Sequence, residues 1–256
     1  MVTEFVFPIG FETWAIAGLV VTFAYVIFGI TAFGAAMFTV PLLSLLLPLE
    51  FVLPVCVLLD VSASFALGSR FSHDAAWGEL KWMIPFSVLG AVAGVTLLVN
   101  LPGTATLAAF GIFLSSYAAY ALIKRGSTKA VSKRWAPVSG LTGGITGTLF
   151  GVGGPPYVIY LSHRIFDKSA YRATLSNMVL ASTGIRAVVF TVTGLMLMDR
   201  VVTFLMLLPF ALLGLNMGHR LHTRLSREMV QRVASVLIFA IGFVLIRRAW
   251  MQGGFT

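Results

Sequence analysis

Gly147-Thr148-Leu149-Phe150-Gly151-Val152-Gly153-Gly154-Pro155-Pro156-Tyr157-Val158-Ile159-Tyr160-Leu161 sets a helix-breaking Gly/Pro cluster in the middle of an apolar stretch, where a soluble core has no use for one. A weaker echo lies near the N-terminus. There, Ala32-Phe33-Gly34-Ala35-Ala36-Met37-Phe38-Thr39-Val40-Pro41-Leu42 aligns with Gly151 to Leu161 without a gap, pairing Gly34 with Gly153 and Leu42 with Leu161. Two apolar segments broken at corresponding points of two halves point to the binding site of a transporter.

Composition sets the class. Of 256 residues, 58% are hydrophobic and 11% charged, against about 45–50% and about 25% in soluble domains, so the chain reads as an all-α integral membrane protein. A hydrocarbon core of roughly 30 Å needs about 20 apolar residues per span, and 51–69, 82–100, 104–123, 174–198, 201–218 and 229–246 each come near that length. The stretches 13–47 and 136–161 hold the two breaks and read as broken or re-entrant helical hairpins. The net charge of +9 comes largely from Lys and Arg in short loops, where they set orientation rather than bind nucleic acid. Cys56 is the single cysteine, so no internal disulfide can form. No basic n-region or small-residue cleavage site accompanies the first apolar stretch, so the N-terminus is expected to be retained.

A second match supports duplication. Ile84-Pro85-Phe86 with Gly90 and Gly94 lines up with Leu208-Pro209-Phe210 with Gly214 and Gly218, in the same order as the hairpin match. The chain therefore divides into a first repeat, 1–123, a basic cytoplasmic linker, 124–135, and a second repeat, 136–256, each a hairpin plus three spans. Equivalent loops differ in charge. The loop around Glu50 has no basic residue while its counterpart carries Arg164, Lys168 and Arg172, and 98–106 has none while its counterpart carries Arg220, Arg224 and Arg227. By the positive-inside rule the repeats are expected to be inverted, with Glu12 and Pro102 outside and Arg70, Lys81 and Lys124 to Arg134 inside. Arg247 and Arg248, expected outside, break the rule.

A half-helix starting at membrane depth presents unpaired N–H groups and roughly half a positive charge, and glycine lets a ligand approach the backbone. Such a place suits an anion, while Pro155 and Pro156 fit a first turn, where a missing N–H costs nothing. The alternative is that the glycines only allow close helix packing. Phe150-Gly151-Val152-Gly153-Gly154-Pro155, with Phe33-Gly34-Ala35-Ala36 and Val40-Pro41-Leu42, resembles the sulfite exporter TauE/SafE family, also called the 4-toluene sulfonate uptake permease family. Ala35 and Ala36 stand where that family usually has glycine. The resemblance implies small sulfur-containing anions, such as sulfite, sulfoacetate or other organosulfonates, as substrates, and a multi-pass protein of the bacterial inner membrane.

Two charges sit inside the expected spans. Asp60 and Arg186 each carry an insertion cost of about 2.5–3.5 kcal/mol at mid-helix, so each should face a cavity or a partner. Arg186 either grips the anion through its planar fork of donors or forms a structural pair with Asp60. Asp60 is the counter-charge or a carrier of coupling protons. The substrate-binding candidates are Gly34, Ala35, Gly151, Gly153, Gly154, Pro155, Arg186 and Asn177. No His/Cys/carboxylate cluster suggests a metal, no cofactor is expected, and neither a nucleophile elbow nor paired carboxylates suggest an enzyme. A secondary transporter working by alternating access is the reading preferred over an anion channel or a membrane-embedded enzyme. Lipid bilayer and small anion are the expected partners, with a homodimer as a candidate assembly.

Overall fold

The computed structural model describes residues 10–31, 34–66, 75–123, 131–221 and 227–251, and its regular elements are all helical. In hydrocarbon no water can pair an exposed N–H or C=O, so an apolar chain without a closed barrel must run as helices. The first five are α1 (Phe11–Thr31), α2 (Ala35–Leu43), α3 (Leu49–Ala66), α4 (Trp77–Asn100) and α5 (Gly103–Ile123). After a 3-10 turn at Lys133–Trp135 come α6 (Ala136–Phe150), α7 (Gly154–Ser162), α8 (Lys168–Val192), α9 (Met198–Leu221) and α10 (Arg227–Met251). Among the described residues, five segments are long and apolar enough to cross a membrane: Phe11–Ile30, Trp77–Asn100, Gly103–Ile123, Ser169–Val192 and Met198–Gly218. The chain is a multi-pass membrane protein.

The nine-residue helices α2 and α7 begin at aligned positions, Ala35 and Gly154, directly after Gly34 and Gly153. The first hairpin nevertheless differs from two matched half-helices. Nothing between Phe11 and Thr31 breaks the helix, so α1 runs 21 residues. In α6 the preceding 3-10 turn and Pro137 delay the start, leaving 15 residues. The spans expected at 51–69 and 229–246 coincide with α3 and α10, whose described residues are helical throughout. Residues 32–33, 67–69, Arg70, most of the linker (124–130) and Arg224 lie outside the described residues.

Helix packing follows the aligned glycines. A Cβ at Gly90 of α4 would fall on the Leu141 carbonyl of α6, and one at Gly94 would lie 2.8 Å from the Ile145 carbonyl. Their counterparts on α9 do the same to α1. Gly214 faces the Thr22 carbonyl and Gly218 the Val26 carbonyl, and the hairpin alignment pairs Thr22 with Leu141 and Val26 with Ile145. Each repeat thus lends its α4 or α9 to the first helix of the other. Between α5 and α10 the contact is reciprocal: a Cβ at Gly111 would lie 2.7 Å from the Gly242 carbonyl, and one at Gly242 would lie 2.9 Å from the Gly111 carbonyl. Such backbone-to-backbone seams suit a membrane, where packing replaces the hydrophobic drive between helices.

α4, about 36 Å long, measures the thickness of the bundle. At its start, the Ala76 N–H donates to Thr174 Oγ1 at 2.8 Å and Glu79 meets Arg164 of the α7–α8 turn. At its end, Leu98 lines a cavity with Leu46 to Glu50 of the α2–α3 connection. The two equivalent turns lie at opposite ends of this helix. Outward faces are apolar at matched positions, with Val88 and Leu89 on α4 and Leu212 and Leu213 on α9 exposed, a surface that lipid covers. Trp77, Trp82 and Trp135 at one end and Trp250 at the other are also exposed, as interfacial anchors should be.

The seams make a test. Gly144→Val and Gly214→Val would each drive side-chain atoms into a facing carbonyl, that of Ser87 or of Thr22, and overpacking of this kind costs roughly 1–3 kcal/mol or more. Thermal melts in detergent should fall on the order of 5 °C for either change. Gly184→Ala, which meets nothing within 4 Å, should leave the melting point in place.

Candidate functional site

The break in the second half begins with a stranded helix end. α6 stops at Phe150, and Gly151 turns left-handed at φ 75°, a conformation that a side chain would strain. Its last carbonyls have no helical partner. Arg186 of α8 supplies one: Nη1 donates to the Gly147 and Gly151 carbonyls, both at 3.0 Å. A cation at a helix C-terminus also meets the negative end of the dipole. Arg186 Nη2 donates to Thr183 Oγ1 at 3.3 Å and lies 3.7 Å from Asp60 Oδ2 of α3. Asp60 Oδ1 accepts a 2.8 Å bond from the Tyr25 hydroxyl of α1. One buried polar cluster therefore joins α1 and α3 of the first half to α6 and α8 of the second.

Arg186 is 6% exposed, and its Nε has no hydrogen-bond partner. An unpaired buried donor costs about 1–3 kcal/mol, more when charged, and among the described residues Nε is the one guanidinium nitrogen of Arg186 left without an acceptor. Of the two alternatives for Arg186, the pair with Asp60 is present, and the guanidinium is divided between the carboxylate and the helix end.

The two half-helix starts differ from one another. At Gly153 the room for a side chain is taken by the Gly143 carbonyl, 2.7 Å from an ideal Cβ, so the missing side chain lets α6 and α7 close together. Gly151 packs the same way across the halves, its Cβ position lying 2.7 Å from Val40 Cγ2 and 3.0 Å from Leu53 Cδ2. Gly34 is open: at φ 95° its nearest foreign atom is Met37 Sδ at 3.9 Å. α2 then starts on Ala35 and Ala36, which keep their amide N–H groups, whereas α7 starts on Gly154, Pro155 and Pro156, of which only the glycine has one. Alanine at positions 35 and 36 costs no donors. The plainer sequence keeps more amide donors and leaves space beside Gly34, although Ala35 itself is buried.

Asn177 is buried, and its amide is spent on the Ala173 carbonyl of its own helix at 2.8 Å, nine residues before Arg186 on α8. The structure does not bring it to the guanidinium. Among the described residues no group of three or more His, Cys, Asp or Glu could hold a metal. Two further polar clusters escaped the sequence reading. Tyr157 places its hydroxyl between Ser87 Oγ at 3.0 Å and Ser182 Oγ at 3.1 Å, and Glu79 accepts from Tyr160 at 2.5 Å and Arg164 Nε at 2.9 Å. Tyr25 was the legible one, since a tyrosine inside an apolar span needs a partner for its hydroxyl.

Asymmetry within the Arg186 cluster predicts unequal losses. Arg186→Gln leaves Asp60 unpaired and uncaps two carbonyls, so its melting point in detergent should fall furthest, by the equivalent of roughly 3–5 kcal/mol. Asp60→Asn should cost less, and Tyr25→Phe about 1 kcal/mol. The double change of Arg186→Gln with Asp60→Asn should recover only part of the loss, because the helix end stays uncapped. Full recovery would show that the ion pair is the whole role of Arg186.

Comparison with known proteins places the chain in a family. The family described as sulfite exporter TauE/SafE matches residues 17–245. A "Probable inner membrane transporter protein TsaS" of Comamonas testosteroni is 28% identical over 200 residues, covering 76% of this chain and 82% of that protein. No solved structure matches. With a family match that runs over nearly its whole length, the chain belongs to the sulfite exporter TauE/SafE family.

Proposed function

We propose that this chain carries small sulfur-containing anions, sulfite or organosulfonates, across a bacterial inner membrane by alternating access of two inverted halves. The unpartnered Nε of buried Arg186 carries the reading. An anion completes the cluster by accepting from it, at a break already equipped to hold negative charge. Gly34 and Ala35 present the open start of α2 to the same anion, and Gly153, Gly154 and Pro155 form the tighter start of α7. Gly151 keeps its carbonyl on Arg186 and so holds the guanidinium in place. Family membership and the similarity to a transporter support the class.

Inversion is supported by the opposite placement of the α2–α3 and α7–α8 turns along α4 and by the exchanged seams of α4 with α6 and α9 with α1. Both seams tie one half to the other, so rocking occurs between seam-linked units rather than between intact repeats. Asp60, held by the Tyr25 hydroxyl, meets Arg186 from the first half, which gives the site a part on each side of the moving boundary. A monoanion leaving an inside-negative cell gains about 2.3 kcal/mol per 100 mV, so export runs without coupling. Uptake would need it, and Asp60 is the group placed to take a proton, which would release Arg186 toward substrate.

Flux of sulfite and toluenesulfonate into proteoliposomes, under imposed voltage and pH gradients, tests the function. Saturable, voltage-driven flux that is lost in Arg186→Gln and weakened at least tenfold in Arg186→Lys is expected, each factor of ten being about 1.4 kcal/mol. Flux no greater than in protein-free vesicles refutes the reading. Topology has its own test: Pro102→Cys and Arg134→Cys should react with an impermeant thiol reagent from opposite faces, against a background kept low by the burial of Cys56. Labelling from one face overturns inversion.

A further inference from the structure

The exception to the charge rule lies at a cavity. Arg248, near the end of α10, bonds through Nη1 to the Leu45 carbonyl and, at 3.5 Å, to the Ser44 carbonyl, the C-terminal end of α2. It caps that half-helix as Arg186 caps α6. Its Nε and Nη2 make no hydrogen bond to a described residue, and the side chain lines a cavity of about 550 Å³ between the α2–α3 connection and the α4–α5 turn. Leu46, Leu47, Leu98 and Leu107 form apolar walls, and Glu50 is the other charged residue of the lining. The volume is within the range of small-molecule pockets, roughly 300–1,000 Å³, as is the combination of apolar walls with few polar groups.

We infer that this cavity is an outer recognition site for an organic anion that has an apolar body, an arene- or alkanesulfonate, whose head is held by the Nε and Nη2 of Arg248. The substrate class rests on the transport reading above. Charge and walls each select: a guanidinium fork takes a sulfonate head, and leucines reward a hydrocarbon body that sulfite lacks. Placement also favours it. α2 is nine residues long, so its capped end, at the cavity, and its open start at Gly34 are about 13 Å apart. A cationic group at a cleft mouth raises the local concentration of anions. An anionic lipid headgroup shares this chemistry, and the test separates the two.

The full chain is reconstituted in phosphatidylcholine vesicles, with and without phosphatidylglycerol, and flux of toluenesulfonate and of sulfite is measured over concentration. Arg248→Gln should raise the toluenesulfonate KM roughly tenfold. Leu46→Trp fills the cavity while leaving the Arg248 cap alone, and should raise it roughly threefold or more, with a smaller rise for sulfite. An unchanged toluenesulfonate KM in Leu46→Trp overturns the site, as does an equal rise for both anions. A wild-type KM that climbs with phosphatidylglycerol, together with loss of the variants' effect in its absence, assigns the cavity to lipid and overturns the substrate role. Absence of wild-type flux defeats this proposal and the transport reading together, whereas normal flux with normal variants defeats this one alone.

Discussion

A helix that stops inside a membrane leaves carbonyls with nothing to pair, and the fold is organised around that debt. At the end of α6 the Nη1 of Arg186 satisfies two of them, and at the end of α2 Arg248 reaches the carbonyls of Ser44 and Leu45. Arginine suits both places because its planar fork serves several acceptors from one side chain and stays charged when buried. The consequence at Arg186 is larger. Its charge must itself be balanced in a buried place, which draws Asp60 and Tyr25 from the other half of the chain. Helix capping, inter-repeat contact and the polar centre of the protein are one arrangement of side chains.

The seams between helices explain how such a centre is held. Where Gly90 and Gly94 let α4 touch the backbone of α6, and Gly214 and Gly218 let α9 touch α1, neither repeat can be removed without exposing a glycine groove on the other. The two halves of the chain are therefore interlocked. The two ends of the bundle differ in chemistry: one carries Glu79, Tyr160 and Arg164 joined by short bonds, and the other carries the cavity lined by Arg248.

Sequence and geometry weigh the two breaks differently. Gly153 and Gly154 dominate the sequence because glycine and proline are concentrated there, but concentration reports helix breaking and close packing alike. The Gly143 carbonyl fills the space beside Gly153, and Pro155 and Pro156 remove donors from the first turn of α7. Gly34, followed by two alanines, has open space where its side chain would be. Periodicity and composition carry no information about which neighbour occupies the space over a glycine, so that ranking could not be read from the chain.

Hydropathy, helix breakers and insertion cost are local properties, so the chain alone reveals the membrane class, a Gly/Pro break within each of 13–47 and 136–161, the in-span charges of Asp60 and Arg186, and the family. The sequence overestimated the symmetry of the hairpins, since α1 runs unbroken where α6 is shortened. Only the tertiary structure decided what Arg186 bonds to, that Asn177 is spent on its own helix, that Tyr25, Thr183 and Tyr157 belong to polar clusters, and that Arg248 is kept on its face to cap α2. Those are pairings between residues far apart in the chain. They depend on which helix faces meet, and that follows from how the glycine seams let ten helices pack rather than from any one segment.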